Sequence, residues 1–119
     1  MELIAFAGED KENWNQLTAL INKLDDCEKA IIVKDANTKE FPFTQKCEAI
    51  DVDTKKSLLE LKEEIMHKLK GRISGEFEVA VSLASGKGKE HMALLSALLC
   101  IPVGVRLVIY AKEGVKFIS

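Results

Sequence analysis

The stretch Phe77-Glu78-Val79-Ala80-Val81-Ser82-Leu83-Ala84-Ser85-Gly86-Lys87-Gly88-Lys89-Glu90-His91 decides how this chain is read. Phe77 to Leu83 is a short strand-forming run, a glycine-lysine loop follows at once, and Glu90 to Ile101 behind it is nearly all apolar. Strand, glycine loop and helix in direct succession are the repeating step of a parallel sheet.

Outward from this stretch the same alternation continues in both directions. Glu2 to Ala7 is an apolar run broken by Gly8-Glu9-Asp10. Trp14, Leu17, Leu20, Ile21 and Leu24 then recur at helical spacing, which predicts an amphipathic helix over Lys11 to Leu24 with Asp10 as its cap and Trp14 in the core. Lys29 to Val33 carries the continuous β-branched run of a strand covered on both faces. Between Lys39 and Lys46, Pro42 excludes a central strand, and Phe41 and Phe43 are open to packing or binding. Glu48 to Val52 is a third strand. Asp53 is the expected cap of a helix whose face is Leu58, Leu61, Ile65 and Leu69, with Gly71 as its stop and His67 in solvent. Val105 to Tyr110 is a further strand, and Lys112-Glu113-Gly114 turns it into an antiparallel partner, Val115 to Ile118. The expectation is therefore an α/β fold: a mainly parallel sheet of five or six strands, three helices and a C-terminal antiparallel hairpin.

At 119 residues the chain has the length of one domain, spanning 1–119. Hydrophobic residues at 47% and charged residues at 30% exclude a disordered chain, and the longest apolar stretch, Met92 to Val103, is too short to span a membrane. The N-terminus reads as a strand rather than a signal peptide, so a cytoplasmic protein is expected. Three cysteines, Cys27, Cys47 and Cys100, show no CxxC spacing; buried reduced thiols are expected, with no disulfide framework and no metal site. A net charge of −2 gives no basic field for duplex DNA, so an anionic ligand must be held locally. The apolar helix Glu90 to Ile101 cannot hide its surface against one sheet, and a two-fold homodimer is the expected cover, with burial by the chain's own loops as the alternative.

In an open parallel sheet, ligands collect beyond the carboxyl ends of the strands. Two loops there are candidates: Gly8-Glu9-Asp10, and Ser85-Gly86-Lys87-Gly88-Lys89 with His91 just inside the helix. The second offers unpaired amides at the positive end of a helix dipole, glycines Gly86 and Gly88 that let the backbone approach an anion, and the mobile charges of Lys87 and Lys89. The Walker pattern and the dinucleotide fingerprint are both absent, so no cofactor is implied. Glu9 and Asp10 either meet the ligand or cap the first helix.

Leu83-Ala84-Ser85-Gly86-Lys87-Gly88-Lys89-Glu90-His91-Met92-Ala93 resembles the Thr-Gly-Gly-Thr-Lys-x-Met loop of the CRISPR-associated Rossmann-fold (CARF) domains, with Ser85, Gly86, Lys89 and, one step late, Met92 carrying the similarity. Lys87 replaces the family's second glycine. Gly8-Glu9-Asp10 would fill the family's other ligand loop, without the small hydroxyl residue found there, and Glu48 to Asp53 resembles the acidic stretch ending its third strand. The resemblance implies a stand-alone CARF domain: a homodimer that binds a cyclic oligoadenylate, such as cyclic tetra-adenylate, across its two-fold axis in antiviral signalling. A symmetric pair of loops would offer four lysines and two helix starts to a ring of matching symmetry. Three functions stay open. One is a metal-independent ring nuclease, in which Lys87 or Lys89 stabilises phosphoryl charge while a ribose 2′-hydroxyl attacks in line. Another is a binding module that relays to a separately encoded effector. The third is an unrelated nucleotide- or phosphometabolite-binding protein of the same fold.

Overall fold

The computed structural model describes residues 1–73 and 77–119. Within them β1 (Leu3–Ala7), α1 (Trp14–Lys23), β2 (Ala30–Asp35), β3 (Cys47–Val52), α2 (Leu58–Leu69), β4 (Glu78–Ser82), α3 (Gly88–Leu99), β5 (Gly104–Ala111) and β6 (Gly114–Phe117) follow in order. The strands form one sheet in the order β3-β2-β1-β4-β5-β6. Pairing is parallel throughout except for the antiparallel β5-β6 hairpin.

Alternation along the central strand splits the core into two layers. Leu3, Ala5 and Ala7 point to one face with Leu17, Leu20 and Ile21 of α1, whereas Ile4 and Phe6 point to the other with Leu61 and Ile65 of α2 and Leu94 and Leu98 of α3. All five β1 residues are buried, which is why the run reads as continuously apolar. Each of its large side chains contributes about 1.5–3 kcal/mol by burial. One helix therefore covers one face and two cover the other. Chain direction explains the split: the chain leaves β1 one way towards β2 and returns the other way through β4 and β5, and right-handed crossovers then place their helices on opposite faces.

Several local expectations are corrected. Asp53 does not cap α2: its carboxylate takes the Lys55 amide, and the cap is Ser57, whose hydroxyl accepts from the Glu60 amide while Glu60 reaches back to the Ser57 amide. Gly71 stands where expected, directly after the Lys70 cap that closes the helix at Leu69. Asp10 makes no side-chain bond to a helix amide, and Lys11–Asn13 form a 3-10 turn before α1 begins. The last long helix starts at Gly88, two residues early, because Lys87 is extended and the Glu90 carboxylate turns back to its amide at 2.7 Å. Only Cys27 of the three thiols is buried; Cys47 is half-buried and Cys100 exposed. Phe41 packs against Trp14 edge-to-face, and Phe43, 39% exposed, packs edge-to-face on Phe41 in turn. His67 is exposed.

The apolar helix α3 lies on the sheet with α2 along its flank, and that neighbour covers much of the surface the sheet cannot. Met92 at 59% and Leu99 at 78% stay exposed, and Met92 lies beside Leu58 and Leu59 of α2, so a small apolar patch remains between the two helices. No helix among the described residues is long and apolar enough to cross a membrane.

Candidate functional site

β1 has β2 on one side and β4 on the other, and the connections leave it in opposite directions. A crevice opens at this point, beyond the carboxyl ends of the strands. The loops after β1 and β4 meet there backbone to backbone: a Cβ on Gly8 would fall 2.6 Å from the Gly86 Cα. Only glycine permits so close an approach. Gly86 has φ +101, a conformation that other residues rarely adopt, whereas Gly88 has an ordinary φ and open space around it.

Asp10 fastens the two loops together. Its Oδ1 accepts from the Ser85 hydroxyl at 2.7 Å and the Gly86 amide at 2.9 Å, and its Oδ2 accepts from the Asn13 side-chain amide at 2.7 Å. Ser85 Oγ in turn accepts the Gly8 amide at 2.9 Å, and the Trp14 indole donates to the Gly8 carbonyl at 3.0 Å. Partial burial pushes the Asp10 carboxyl up, but donation from Asn13, Ser85 and Gly86 outweighs it and leaves the group below its ordinary value. Asp10 is thus an ionised latch. His91 serves the same loop, with its Nε2 2.7 Å from the Ser85 carbonyl. That nitrogen must carry a proton, because a carbonyl oxygen can only accept.

The start of α3 is partly satisfied by the protein itself. Gly86 N–H goes to Asp10 and Lys87 N–H to Glu90, so the amides left without an acceptor among the described residues are those of Gly88, Lys89 and Glu90. Three outward amides at a helix start form an anion-binding arrangement. Lys87 and Lys89 flank it differently. Lys87 is mostly exposed, its Nζ 4.0 Å from Glu9, whereas the Lys89 ammonium donates to the Thr54 carbonyl at 3.0 Å.

These groups open onto a cleft of about 830 Å³ built from four loops. The loop after β1 contributes Glu9, and the loop after β4 with the first turn of α3 contributes Lys87, Lys89 and Glu90. The connection between β2 and β3 adds Asn37, Thr38, Lys39 and Glu40, and the loop before α2 adds Thr54 and Lys55. Asp35, at the end of β2, joins two of these walls: it accepts from the Thr54 amide (3.1 Å), the Thr54 hydroxyl (2.6 Å) and the Asn37 amide (2.9 Å). Those donors, Thr54 foremost, hold its carboxyl below the ordinary value. Lys11 pairs with Glu40 across the mouth.

Of the residues named from sequence, Glu9, Lys87 and Lys89 line the cleft, while Gly8, Asp10, Ser85, Gly86 and His91 shape its floor behind them. Gly88 offers its amide from the helix start. The sequence reading missed the two walls that follow β2 and β3, with Asp35, Lys39, Thr54 and Lys55. Their signal was the strand ends themselves: in a parallel sheet each carboxyl end delivers a loop to the same edge. No family model matches this chain, and no curated protein matches it.

Proposed function

We propose that the protein binds a cyclic oligoadenylate through its phosphates in this cleft, as a homodimer acting in CRISPR antiviral signalling. The observation that carries the reading is that the start of α3, with unpaired amides at Gly88, Lys89 and Glu90, brings Lys87, Lys89 and Glu90 to the wall of a cleft of nucleotide size. Five lysines line it against four carboxylates, a formal excess of one positive charge, and Asp35 spends its oxygens on backbone amides and a hydroxyl rather than on the lysines. The resemblance of the Ser85–Met92 segment to the CARF ligand loop supplies the ligand class.

The apolar patch of Leu58, Leu59 and Met92 supports the dimer, since exposed apolar side chains gathered on two adjacent helices favour a partner surface. α3 runs from the cleft into this patch. Pairing through it would set two clefts side by side, as a two-fold symmetric ring requires.

Metal-independent cleavage of the ring extends the same proposal. An ammonium has three N–H donors, and one bond to Thr54 leaves Lys89 two for a phosphoryl oxygen as charge builds on it. The commitment of His91 Nε2 to the Ser85 carbonyl favours the competing reading, a sensor that binds without cutting, because it ties that nitrogen to the loop rather than to proton transfer. Incubation of the protein with labelled cyclic tetra-adenylate separates these. Linear products that fall by about 10²–10³-fold in Lys89→Ala support the nuclease. Retention without turnover supports the sensor, and neither retention nor products overturns the proposal.

A further inference from the structure

The loops after β2 and β3 hold a device that the ligand reading does not by itself require. Lys89 stands on α3, yet the atom its ammonium touches, the Thr54 carbonyl, belongs to the loop before α2. That loop is tied to the end of β2, because both the amide and the hydroxyl of Thr54 donate to one oxygen of Asp35. The other Asp35 oxygen accepts the Asn37 amide, so both oxygens of this cleft-lining carboxylate are engaged by the protein's own donors. In parallel sheets an acidic residue at the end of the second strand is well placed to take a ribose hydroxyl. Here its acceptors are occupied by the protein's own donors.

We infer that Asp35 and Thr54 are positioning residues, which fix the Lys89 ammonium over the start of α3 by holding the Thr54 carbonyl in place. The chain of contacts runs from β2 through the loop before α2 to the lysine. Each link is a hydrogen bond of 2.6–3.1 Å. A long lysine side chain otherwise loses considerable rotamer entropy when it grips an anion, and a standing tether removes part of that cost before the ligand arrives. Lys87 has no such tether; its contact is a 4.0 Å approach to an exposed Glu9. The two lysines therefore have different parts, one pre-placed and one mobile. Asp35→Asn presents an amide nitrogen to donors that need an acceptor, and so loosens the Thr54 loop. Thr54→Val removes the hydroxyl bond and keeps the amide bond and the carbonyl. Thr54→Ser keeps all three groups.

As it concerns Lys89 as a ligand-binding group, the inference rests on the cyclic oligoadenylate reading, and its test has one arm that needs no ligand. In that arm the side-chain ammonium signal of Lys89 is followed by NMR in protein labelled with 15N-lysine, assigned by its absence from Lys89→Ala. We expect a distinct, slowly exchanging signal in the wild type and in Thr54→Ser, lost in Asp35→Asn and weakened in Thr54→Val. An unchanged signal in a folded Asp35→Asn protein overturns the positioning role. In the second arm, cyclic tetra-adenylate affinity is measured for the wild type, Asp35→Asn, Lys89→Ala and the double variant. Asp35→Asn is expected to weaken binding by about tenfold in the wild type and to add nothing once Lys89 is gone, the non-additivity of residues that act through one another. Equal losses in both backgrounds would mean general loosening of the fold and would overturn the inference. If the wild type does not bind the ring while the ammonium signal behaves as expected, the ligand reading fails and the tether stands.

Discussion

The aspartates and glutamates at the two ends of the same sheet are used differently, although Lys34 pairs with Asp51 at 2.6 Å at the carboxyl end as well. At the amino end, Lys29 sits 3.5 Å from Glu2 and 3.3 Å from Glu48, Arg72 reaches Glu48 at 2.7 Å, and Lys29 also donates to the Arg72 carbonyl. Partial burial pushes the Glu48 carboxyl up, but Lys29 and Arg72 outweigh it and hold the group below its ordinary value. Positive and negative groups there satisfy one another. At the carboxyl end, Asp10 and Asp35 take backbone amides and hydroxyls instead of cations. Lys39, Lys55 and Lys89 consequently have no carboxylate within ion-pair distance among the described residues. The lesson is that Asp10 and Asp35 build the loops, and Lys39, Lys55 and Lys89 are left for something from outside.

The contrast can be broken most forcefully at Asp10. Asp10→Ala strands the donors of Asn13, Ser85 and Gly86, so we expect a loss of about 3–5 kcal/mol in urea denaturation. A loss below about 1 kcal/mol would show that the two loops hold together without it.

Glu64 tests the wall before α2 through pH. Burial pushes its carboxyl up, but bonds from Lys68, the Asp53 amide and Lys56 pull it down to about 2. A carboxyl depressed by folding stabilises the protein above its ordinary value of 4.5, and that contribution disappears as the pH falls through about 2. The stability gap between wild type and Glu64→Gln, at most about 3 kcal/mol at neutral pH, should therefore narrow on acidification below pH 4.5. A gap independent of pH would remove Glu64 from the account.

The smallest effect belongs to the amino end. Arg72→Ala breaks an ion pair whose partners are both more than a third exposed, and should cost less than about 1 kcal/mol with no change in ligand affinity. Loss of affinity there would erase the distinction between the two ends.

Much of this was legible in the residues, and the rest was hidden for definite reasons. The strand-loop-helix step at Phe77 to His91 and the hydrophobic periods of α1 and α2 carried the fold, because each period matches the face that is buried. Ser85, Gly86 and Lys89 were recognisable as a loop opening a helix. The work of Asp10 was hidden, since its partners Ser85 and Gly86 lie 75 and 76 positions away and no local spacing reports such a pair. Asp35 and Thr54 were missed for the same reason, being joined across 19 residues by the parallel register of β2 and β3. The cap at Ser57 was available in the sequence as Ser-x-x-Glu, but Asp53 stood nearer the end of the strand and attracted the assignment.

Amide chemical-shift mapping during titration with cyclic tetra-adenylate tests the central claim most directly. The account predicts that the largest shifts fall on Gly88, Lys89 and Glu90, with smaller ones at Gly86 and Thr54 and none at Glu2, Lys29 or Glu48. Shifts centred on the amino end of the sheet, or a spectrum that the ring leaves unchanged, would contradict it.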